Sequence, residues 1–342
     1  MTTPRHLLVM RFSAMGDVAM TVPVIKALLN QYPDLTVTFV SRPGFSSFFS
    51  DIPRLNYFAV DFNSEYKGLP GLLRLHSQLK SKATYYAVAD LHNNLRSNIL
   101  GALFKFSGIQ VKRVDKGRTE KKLLTRFPGK VLKPLKRTAQ RYADVFARLG
   151  FPVELDYQLH RKVTVLTDEI KQVSGEKREA WIGITPFAQH IGKIYPEEKM
   201  AEVLNLLQQY KAKVFLFGGT PRDKEICELW EQTFPNVTTT VQRLNMQQEL
   251  QLISNLNVML SMDSAGMHLA SLRGVPAVSV WGATHHFAGF LGYGQSEENI
   301  VADDIACRPC SVYGNKPCFR KDYACLHNIT PDVIVNKLLK FV

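Results

Sequence analysis

The sequence predicts an α/β protein made of two doubly wound domains, each a parallel sheet covered by helices on both faces. Apolar runs of strand length alternate with helical patterns along both halves of the chain. Several of these runs end in small-residue turns that lead directly into a helix. The chain of 342 residues is also long enough for two domains with substantial cores.

The first half alternates strand and helix from near its start. Residues 7–12 form a strand-length apolar run, residues 13–16 a small-residue turn, and a helical pattern begins at Asp17. Pro23 falls early in this helix, where its missing N–H costs little. The later predicted elements are strands at residues 36–40 and 87–91 and a helix at residues 96–106.

The second half restarts the alternation after a polar stretch, residues 167–179, which we interpret as the link between the domains. The predicted boundary therefore separates residues 1–170 from residues 171–342, the latter ending in a cysteine-rich tail and a final helix. The predicted strands are 181–185, 214–218, 237–241, 258–262 and 277–281, and the predicted helices are 197–210, 222–233, 246–254 and 331–341. Ligands of such sheets bind beyond the carboxyl ends of the strands, so two domains facing each other predict a central cleft.

The stretch from Val258 onward is the most informative in the chain, because a predicted buried strand ends there in a small-residue turn before a helix. The turn and the first helical residues are Asp263, Ser264, Ala265, Gly266, Met267 and His268. This arrangement directs free backbone N–H groups and a positive helix terminus toward an anion, commonly a phosphate. The simpler interpretation is that Asp263 or Ser264 only caps the helix.

Asp17 is the candidate general base. It lies at the turn after the first strand, where a carboxylate can accept a proton from a sugar or alcohol hydroxyl. The alternative is that it caps the following helix. The turn contains a single glycine, Gly16, and lacks the Gly-x-Gly-x-x-Gly fingerprint of dinucleotide sites, which disfavours an NAD-dependent enzyme.

Further candidate binding residues follow strands of the second half. Thr185 ends one strand, and Lys193 in the next stretch is placed to meet a diphosphate as a point charge, unless it is an ordinary surface lysine. Gly218 and Gly219 close the next strand and permit a ligand to approach the backbone. His268 lies one turn into its helix, where a lone histidine is usually packed or hydrogen-bonded rather than functional.

The net charge of +13 is concentrated in residues 105–141, where lysine and arginine face only Asp115 and Glu120. Such a segment can dock on nucleic acid, an anionic membrane or a phosphorylated substrate, or it can be a solvated basic face. No fingerprint of a common nucleic-acid-binding module accompanies the charge. Apolar residues such as Leu123, Phe127 and Leu132 interleave with the cations, as is typical of segments that lie on a membrane. We therefore expect peripheral contact with an anionic membrane and no nucleic-acid partner.

Four of the five cysteines lie near the C-terminus: Cys307, Cys310, Cys318 and Cys325. The second pair lacks the spacing of a zinc knuckle, so reduced thiols, structural zinc and disulfides all stay open, in that order of preference. Cys227 lies alone in a helical pattern and is predicted to be a core residue. Because we recognise neither a signal peptide nor a stretch of about 18 apolar residues, we expect a cytoplasmic protein.

Three motifs in this order resemble glycosyltransferase family 9, the heptosyltransferases of lipopolysaccharide core assembly and their relatives. They are RFSAMGDV at residues 11–18, KIYPE at residues 193–197, and DSAGMH at residues 263–268 with GVP at 274–276 and WGAT at 281–284. The resemblance extends from the first strand to the cysteine-bearing tail. It implies the GT-B architecture, with the acceptor on the N-terminal side and a nucleotide-sugar donor on the C-terminal side. It also implies an inverting, metal-independent reaction that requires no cofactor.

The resemblance assigns roles to individual residues. Asp17 matches the catalytic base of the family, Lys193 its donor-phosphate lysine, and residues 263–268 its donor-binding loop. Residues 90–97 resemble an acceptor-side segment of the family, so that Ser13, His92 and Arg96 are the acceptor-side candidates.

The chain also departs from the heptosyltransferase pattern. Tyr195 stands where the family usually has Trp, Ser264-Ala265 where it has Thr-Gly, and His285-His286 where it has Asp-Pro. We expect transfer of a sugar, on the resemblance heptose from ADP-heptose, to a phosphorylated lipopolysaccharide core or related lipid-linked glycan at the inner face of the cytoplasmic membrane. The alternatives are a relative that uses another donor for a capsule or surface glycan, and a non-catalytic protein that binds anionic lipid or nucleic acid.

Overall fold

The computed structural model describes residues 5–342, which form two compact α/β units. The first contains the described residues up to Lys116 together with Thr138–Asp156, and the second contains Gly117–Arg137 and Tyr157–Val342. The second unit thus begins at Tyr157 rather than at residue 171, and it also takes residues 117–137 from the first half of the chain. Residues 1–4, part of the stretch in which we recognise no signal peptide, lie outside the described residues.

The sheet of the first unit is parallel, with the strand order β3-β2-β1-β4-β5. The strands are β1 (Arg5–Met10), β2 (Leu35–Ser41), β3 (Leu55–Ala59), β4 (Ala87–Asp90) and β5 (Gln110–Arg113). The two central strands are apolar because helices cover both faces of the sheet, and Leu7 and Val88 are fully buried.

The helices before residue 150 are α1 (Met15–Ala19), α2 (Thr21–Gln31), α3 (Gly68–Lys82), α4 (Leu95–Phe106), α5 (Arg118–Leu124) and α6 (Thr138–Ala147). Of these, α5 belongs to the second unit. The helix predicted from Asp17 begins two residues earlier, at Met15, and divides at Met20. Val22, Ile25 and Leu28 are buried along α2, as the helical pattern predicts.

The sheet of the second unit is also parallel, with the strand order β11-β10-β9-β6-β7-β8. The strands are β6 (Ala180–Thr185), β7 (Ala212–Leu216), β8 (Val237–Thr239), β9 (Val258–Met262), β10 (Ala277–Val280) and β11 (Ile300–Val301). The predicted strands of this half are confirmed, with β7 and β8 ending two residues earlier than expected.

The helices of this unit are α7 (Asp168–Ser174), α8 (Glu197–Leu207), α9 (Pro221–Thr233), α10 (Met246–Ser254), α11 (Ala265–Leu272), α12 (Ala324–His327) and α13 (Pro331–Leu338). The stretch that we interpreted as a link contains α7, whose Ile170 is fully buried, because its few apolar residues suffice to dock one short helix. No helix within residues 5–342 is both long enough and apolar enough to cross a bilayer.

The strand order of each sheet fixes where a ligand can bind. Chain order reverses between β1 and β4 in the first sheet and between β6 and β9 in the second. At such a switch point the connections leave in opposite directions, and the carboxyl ends of the two strands border a crevice. The stretches beyond these four strands are therefore the places to look for a site.

Candidate active site

Asp17 lies in the first turn of α1, just beyond β1 at the switch point of the first sheet. Its Oδ2 atom is 2.5 Å from Nη2 of Arg11. The same oxygen accepts a 3.4 Å hydrogen bond from the N–H of Ala14, the residue before the helix. Asp17 thus reaches back to the helix start, as the capping interpretation requires, but the guanidinium is its closer partner. The side chain stays 27% exposed, so a substrate hydroxyl can reach it.

Arg11 fixes this carboxylate from beneath. It is buried, and its Nη1 donates a 2.8 Å hydrogen bond to the carbonyl oxygen of Leu91, beyond β4. Burial alone would lower the pKa of Arg11, but Tyr142 and Asp17 raise it above its ordinary value, so the guanidinium stays charged. Arg11 was not among the predicted site residues, although an arginine directly after an apolar strand is a signal in the sequence.

Asp90, at the end of β4, organises the loop that follows. It is fully buried and accepts hydrogen bonds from the N–H groups of His92 and Asn93 and from the Ser97 hydroxyl at 2.8–2.9 Å. Burial raises the pKa of Asp90, although these hydrogen bonds and Arg113 act to lower it. Asp90 and Ser97 therefore shape residues 90–97, the predicted acceptor-side segment, from within.

His92 is buried; its Nδ1 accepts a 3.0 Å hydrogen bond from the Phe12 N–H, and its Nε2 lies 3.1 Å from Nδ2 of Asn94. Burial, with Arg11 and Lys116, lowers the pKa of His92 to about 3. This histidine is thus neutral near pH 7. Arg96 is exposed, with its guanidinium 5.1 Å from the centre of the Phe62 ring, and Ser13 is partly exposed.

Lys193 and Asp263 meet at the switch point of the second sheet. The Nζ atom of Lys193 lies 3.1 Å from Oδ2 of Asp263, and both side chains are largely buried. The same oxygen accepts a 2.8 Å hydrogen bond from Oγ1 of Thr284. Asp263 therefore orients a cation, which excludes the interpretation that Lys193 is an ordinary surface lysine.

Two glycines determine how closely the lysine is packed. A Cβ atom at Gly314, which has φ +76°, would lie 2.4 Å from Cγ of Lys193. The carbonyl oxygen of Gly192 accepts a 2.8 Å hydrogen bond from the N–H of Ala283, just before Thr284.

Tyr195 in the same stretch is buried and donates a 2.9 Å hydrogen bond to the carbonyl of Ile329, so it is a core residue.

Gly266 brings α11 against the end of β6. A Cβ atom at this position would lie 2.1 Å from Oγ1 of Thr185. That hydroxyl donates a 2.8 Å hydrogen bond to Oγ of Ser261, which in turn accepts a 3.0 Å hydrogen bond from the N–H of Met267. Thr185 and Ser261 therefore hold the start of α11 in place.

The backbone amides at the start of α11 are not all available to a ligand. The N–H of Met267 is bonded to Ser261, and the N–H of Ser264 donates to the carbonyl of Met262 at 2.6 Å. The N–H groups of Ala265 and Gly266 have no acceptor within residues 5–342. The set of amides available to an anion is thus smaller than the sequence predicts, because the Ser261 side chain and the Met262 carbonyl accept the hydrogen bonds of the flanking amides.

The two glycines after β7 have a different neighbour from the one expected. A Cβ atom at Gly218 would lie 2.7 Å from Cβ of Asp223. The carboxylate of Asp223 accepts hydrogen bonds from the N–H groups of Gly219 and Thr220 at 2.8 Å and 3.0 Å, and so caps α9. The chain's own aspartate, rather than a phosphate, approaches this backbone.

The histidines that follow β9 and β10 pack inside the second unit. His268 is buried within α11. His285 and His286 stack with ring centroids 4.4 Å apart. Burial, with Arg308, lowers the pKa of His285 to about 3, and the pKa of His286 is also lowered, so both are neutral near pH 7.

The four C-terminal cysteines line one small pocket together with Arg308 and Phe319. They are free thiols, and burial raises the pKa of Cys325 to about 12 and also raises that of Cys310, which favours protonated thiols. Among residues 5–342, no group of three or more His, Cys, Asp or Glu side chains is arranged to hold a metal ion. The zinc interpretation has no support in this arrangement. Cys227 is a fully buried core residue, as predicted.

Each switch point thus carries one kind of chemistry. The first holds a partly exposed carboxylate, Asp17, fixed by a buried cation. The second holds a positioned ammonium group, Lys193, and the two unpaired helix amides of Ala265 and Gly266. A carboxylate can take a proton from a hydroxyl, and the second set can receive a diphosphate.

Comparison with known proteins agrees with the family resemblance of the three sequence motifs. The family description glycosyltransferase family 9 (heptosyltransferase) matches residues 72–318. The lipopolysaccharide core heptosyltransferase OpsX of Haemophilus influenzae is 26% identical over 288 residues, which cover 81% of this chain and 79% of OpsX.

Two solved structures share the fold. One is a family 9 glycosyltransferase of Veillonella parvula, with a TM-score of 0.74 and 17% identity over 100% of this chain and 98% of that one. The other is E. coli heptosyltransferase WaaC with ADP-2-deoxy-2-fluoro heptose, with a TM-score of 0.66 and 16% identity over 98% of this chain and 99% of that one. These likenesses and the two parallel-sheet units confirm the predicted GT-B fold class.

Proposed function

Because the chain belongs to glycosyltransferase family 9 and is therefore a glycosyltransferase, we propose that it transfers heptose from ADP-heptose to a hydroxyl of a lipopolysaccharide core. The observation that carries this proposal is that the acid–base group and the anion-binding group lie at the two switch points. OpsX, named as a lipopolysaccharide core heptosyltransferase, and WaaC, solved with a fluorinated ADP-heptose, support the choice of acceptor and donor.

Asp17 is the proposed general base. Its Oδ2 takes the proton of the acceptor hydroxyl as that oxygen attacks the anomeric carbon. The new C–O bond forms on the face opposite the leaving diphosphate, so the configuration inverts in one displacement. Arg11 is a positioning residue that holds the carboxylate on its partly exposed side.

The leaving ADP carries the charge that develops as the sugar–phosphate bond breaks. Lys193 and the amides of Ala265 and Gly266 are fixed positive groups that can stabilise this charge without a divalent ion. Asp263 holds the ammonium in place before the donor arrives. We therefore propose a metal-independent reaction with no cofactor.

The acceptor is proposed to be lipid-linked and phosphorylated, so the reaction takes place on the cytoplasmic side, at the inner face of the membrane. Ser13, His92 and Arg96 are the proposed acceptor-side residues. His92 is neutral, buried and contacted at both ring nitrogens, so its proposed role is to shape the acceptor side, whereas the exposed Arg96 suits a phosphate group.

The donor can be tested directly. The purified protein is screened by thermal unfolding with ADP-, GDP- and UDP-sugars, since a donor that binds the folded state raises its melting temperature. ADP-heptose is then offered with heptose-deficient lipopolysaccharide, with and without EDTA, and the product is weighed by mass spectrometry. We expect one added heptose in both conditions. If only a different nucleotide-sugar stabilised the protein, that nucleotide-sugar would become the proposed donor in place of ADP-heptose. Loss of transfer in EDTA would show that the reaction needs a metal ion. Polyanion binding without any turnover would favour the non-catalytic alternative.

A further inference from the structure

Residues 117–137 present apolar and basic side chains together on the outside of the second unit. We define the amphipathic surface as the exposed side chains of this stretch together with the nearby Phe319. Its apolar members are Leu123, Phe127, Val131, Leu132 and Phe319, and its cations are Arg118, Lys122, Arg126, Lys133 and Lys136.

Helix α5 buries Lys121 and Leu124 against the protein and leaves Leu123 on its outer side. Lys121 is only 5% exposed, and its Nζ lies 4.1 Å from the centre of the Phe290 ring. Leu123 on the same helix is 40% exposed. The helix therefore keeps an apolar side chain, Leu123, on its outer side although it buries a lysine, which is the less common arrangement for these two residue types.

The segment after α5 is firmly attached. The ammonium group of Lys130 donates hydrogen bonds to the carbonyls of Ala306, Arg308 and Pro309 at 3.1, 2.8 and 3.2 Å. The N–H of Leu135 donates a 2.9 Å hydrogen bond to the carbonyl of Phe287. The outward direction of the neighbouring apolar side chains is therefore built into the fold.

The exposed apolar side chains form a group. Phe127 and Phe319 are 60% and 59% exposed, and their rings stack with centroids 5.6 Å apart. Val131 and Leu132 are exposed in the same stretch. Single exposed apolar residues are common on proteins, but an exposed pair of stacked rings, one of them in a stretch with three further exposed apolar residues, favours an interaction surface.

The charge of this stretch indicates what covers the surface. Residues 117–137 contain eight Lys and Arg residues and a single acidic residue, Glu120. Apolar side chains framed by cations complement an anionic bilayer, because the rings and leucines enter the headgroup boundary while the cations meet lipid phosphates.

We propose that the amphipathic surface docks the enzyme on an anionic lipid bilayer. The proposal deepens the proposed function by naming the face that meets the membrane of the lipid-linked acceptor, and it rests on that function only for its biological setting. Binding to vesicles without acceptor is a property of this surface alone.

The test is sedimentation of the full-length protein with vesicles of phosphatidylcholine, with or without phosphatidylglycerol. We expect the wild type to bind the mixed vesicles and to be released by high salt. The apolar variant Phe127→Ser/Leu132→Ser and the cation variant Lys122→Gln/Arg126→Gln/Lys133→Gln should each bind about tenfold more weakly or worse. The matched control Val165→Ser/Leu229→Ser changes exposed apolar residues elsewhere on the same unit and should bind like the wild type.

Other outcomes overturn the proposal. Equal binding to both kinds of vesicle, or unchanged binding by the apolar variant, removes it. The protein could instead dimerise in lipid-free solution. If only the apolar variant abolished that dimer, the surface would bind a second copy of the chain rather than a membrane. Tight binding to duplex DNA that the apolar variant keeps assigns it to nucleic acid. Transfer to a soluble, delipidated acceptor is measured in parallel, so that failure of docking and failure of the proposed function give different results.

Discussion

Nη2 of Arg11 lies 2.5 Å from Oδ2 of Asp17, so the carboxylate beyond β1 is held by a buried cation from the end of that strand. The same guanidinium is bonded to the carbonyl of Leu91 beyond β4. One side chain thus ties both strands of the first switch point to the candidate base. If Asp17 is the base, Arg11 sets its position.

Arg11→Lys tests this positioning role. Lysine keeps the charge but cannot bond Leu91 and Asp17 together in the planar geometry of a guanidinium. We expect kcat to fall about 10- to 100-fold, because small displacements of a catalytic group are costly, with little change in the KM for the donor. Steady-state kinetics measure both constants, and a rise in donor KM with unchanged kcat would contradict the role.

Lys193→Gln tests the second switch point. Loss of a charge-assisted contact to the diphosphate should weaken donor binding about 10- to 100-fold, as measured by calorimetry with ADP. The control is Lys211→Gln, which removes an exposed lysine of the same unit. Equal affinity of the Lys193 and Lys211 variants would show that Lys193 does not meet the phosphates.

Gly266→Ala tests the close contact between α11 and Thr185. The added Cβ would overlap the Thr185 side chain, so the start of the helix must shift. We expect about 1–3 kcal/mol of destabilisation in urea unfolding, together with weaker binding of ADP. Gly44→Ala is the control, because a Cβ there meets no atom within 4 Å. Unchanged stability and ADP affinity in Gly266→Ala would remove the contact from the account.

Glu249, in the first turn of α10, makes stability depend on pH. Burial raises its pKa from 4.5 to about 8, so the folded protein holds this proton more tightly than the unfolded chain does. Its contribution to the free energy of unfolding is therefore fully present below about pH 4.5 and is lost as the pH rises through about 8. Glu249→Gln lacks this loss, so its melting temperature should exceed that of the wild type by on the order of 2 °C at pH 8.5 but not at pH 4.5. A difference that does not change with pH would contradict the assignment.

The sequence was most informative at the centres of the two sheets. Strands such as β1, β6 and β9 are buried on both faces, so they form apolar runs that end visibly at the turns bearing Asp17, Lys193 and Asp263. The edge strands β3 and β5 were not predicted, because partly exposed edge strands lack this signal and β5 is lost among basic residues.

Other features depend on contacts that no local pattern encodes. The pair Lys193–Asp263 joins residues 70 positions apart, and residues 117–137 pack with a unit that is distant in sequence. The sequence identified Gly218 and Gly219 as permissive backbone but could not predict that Asp223 already bonds to it. It likewise showed that apolar residues interleave with the cations of residues 105–141, but not which of them are exposed.

The most direct test of the account is the transfer rate of Asp17→Asn with ADP-heptose and a heptose-deficient acceptor, beside its melting temperature and its affinity for ADP. We expect the melting temperature and the ADP affinity to stay near the wild-type values while kcat falls at least about a hundredfold, since asparagine cannot accept the acceptor's proton. Transfer within a few-fold of the wild-type rate would show that Asp17 is not the base.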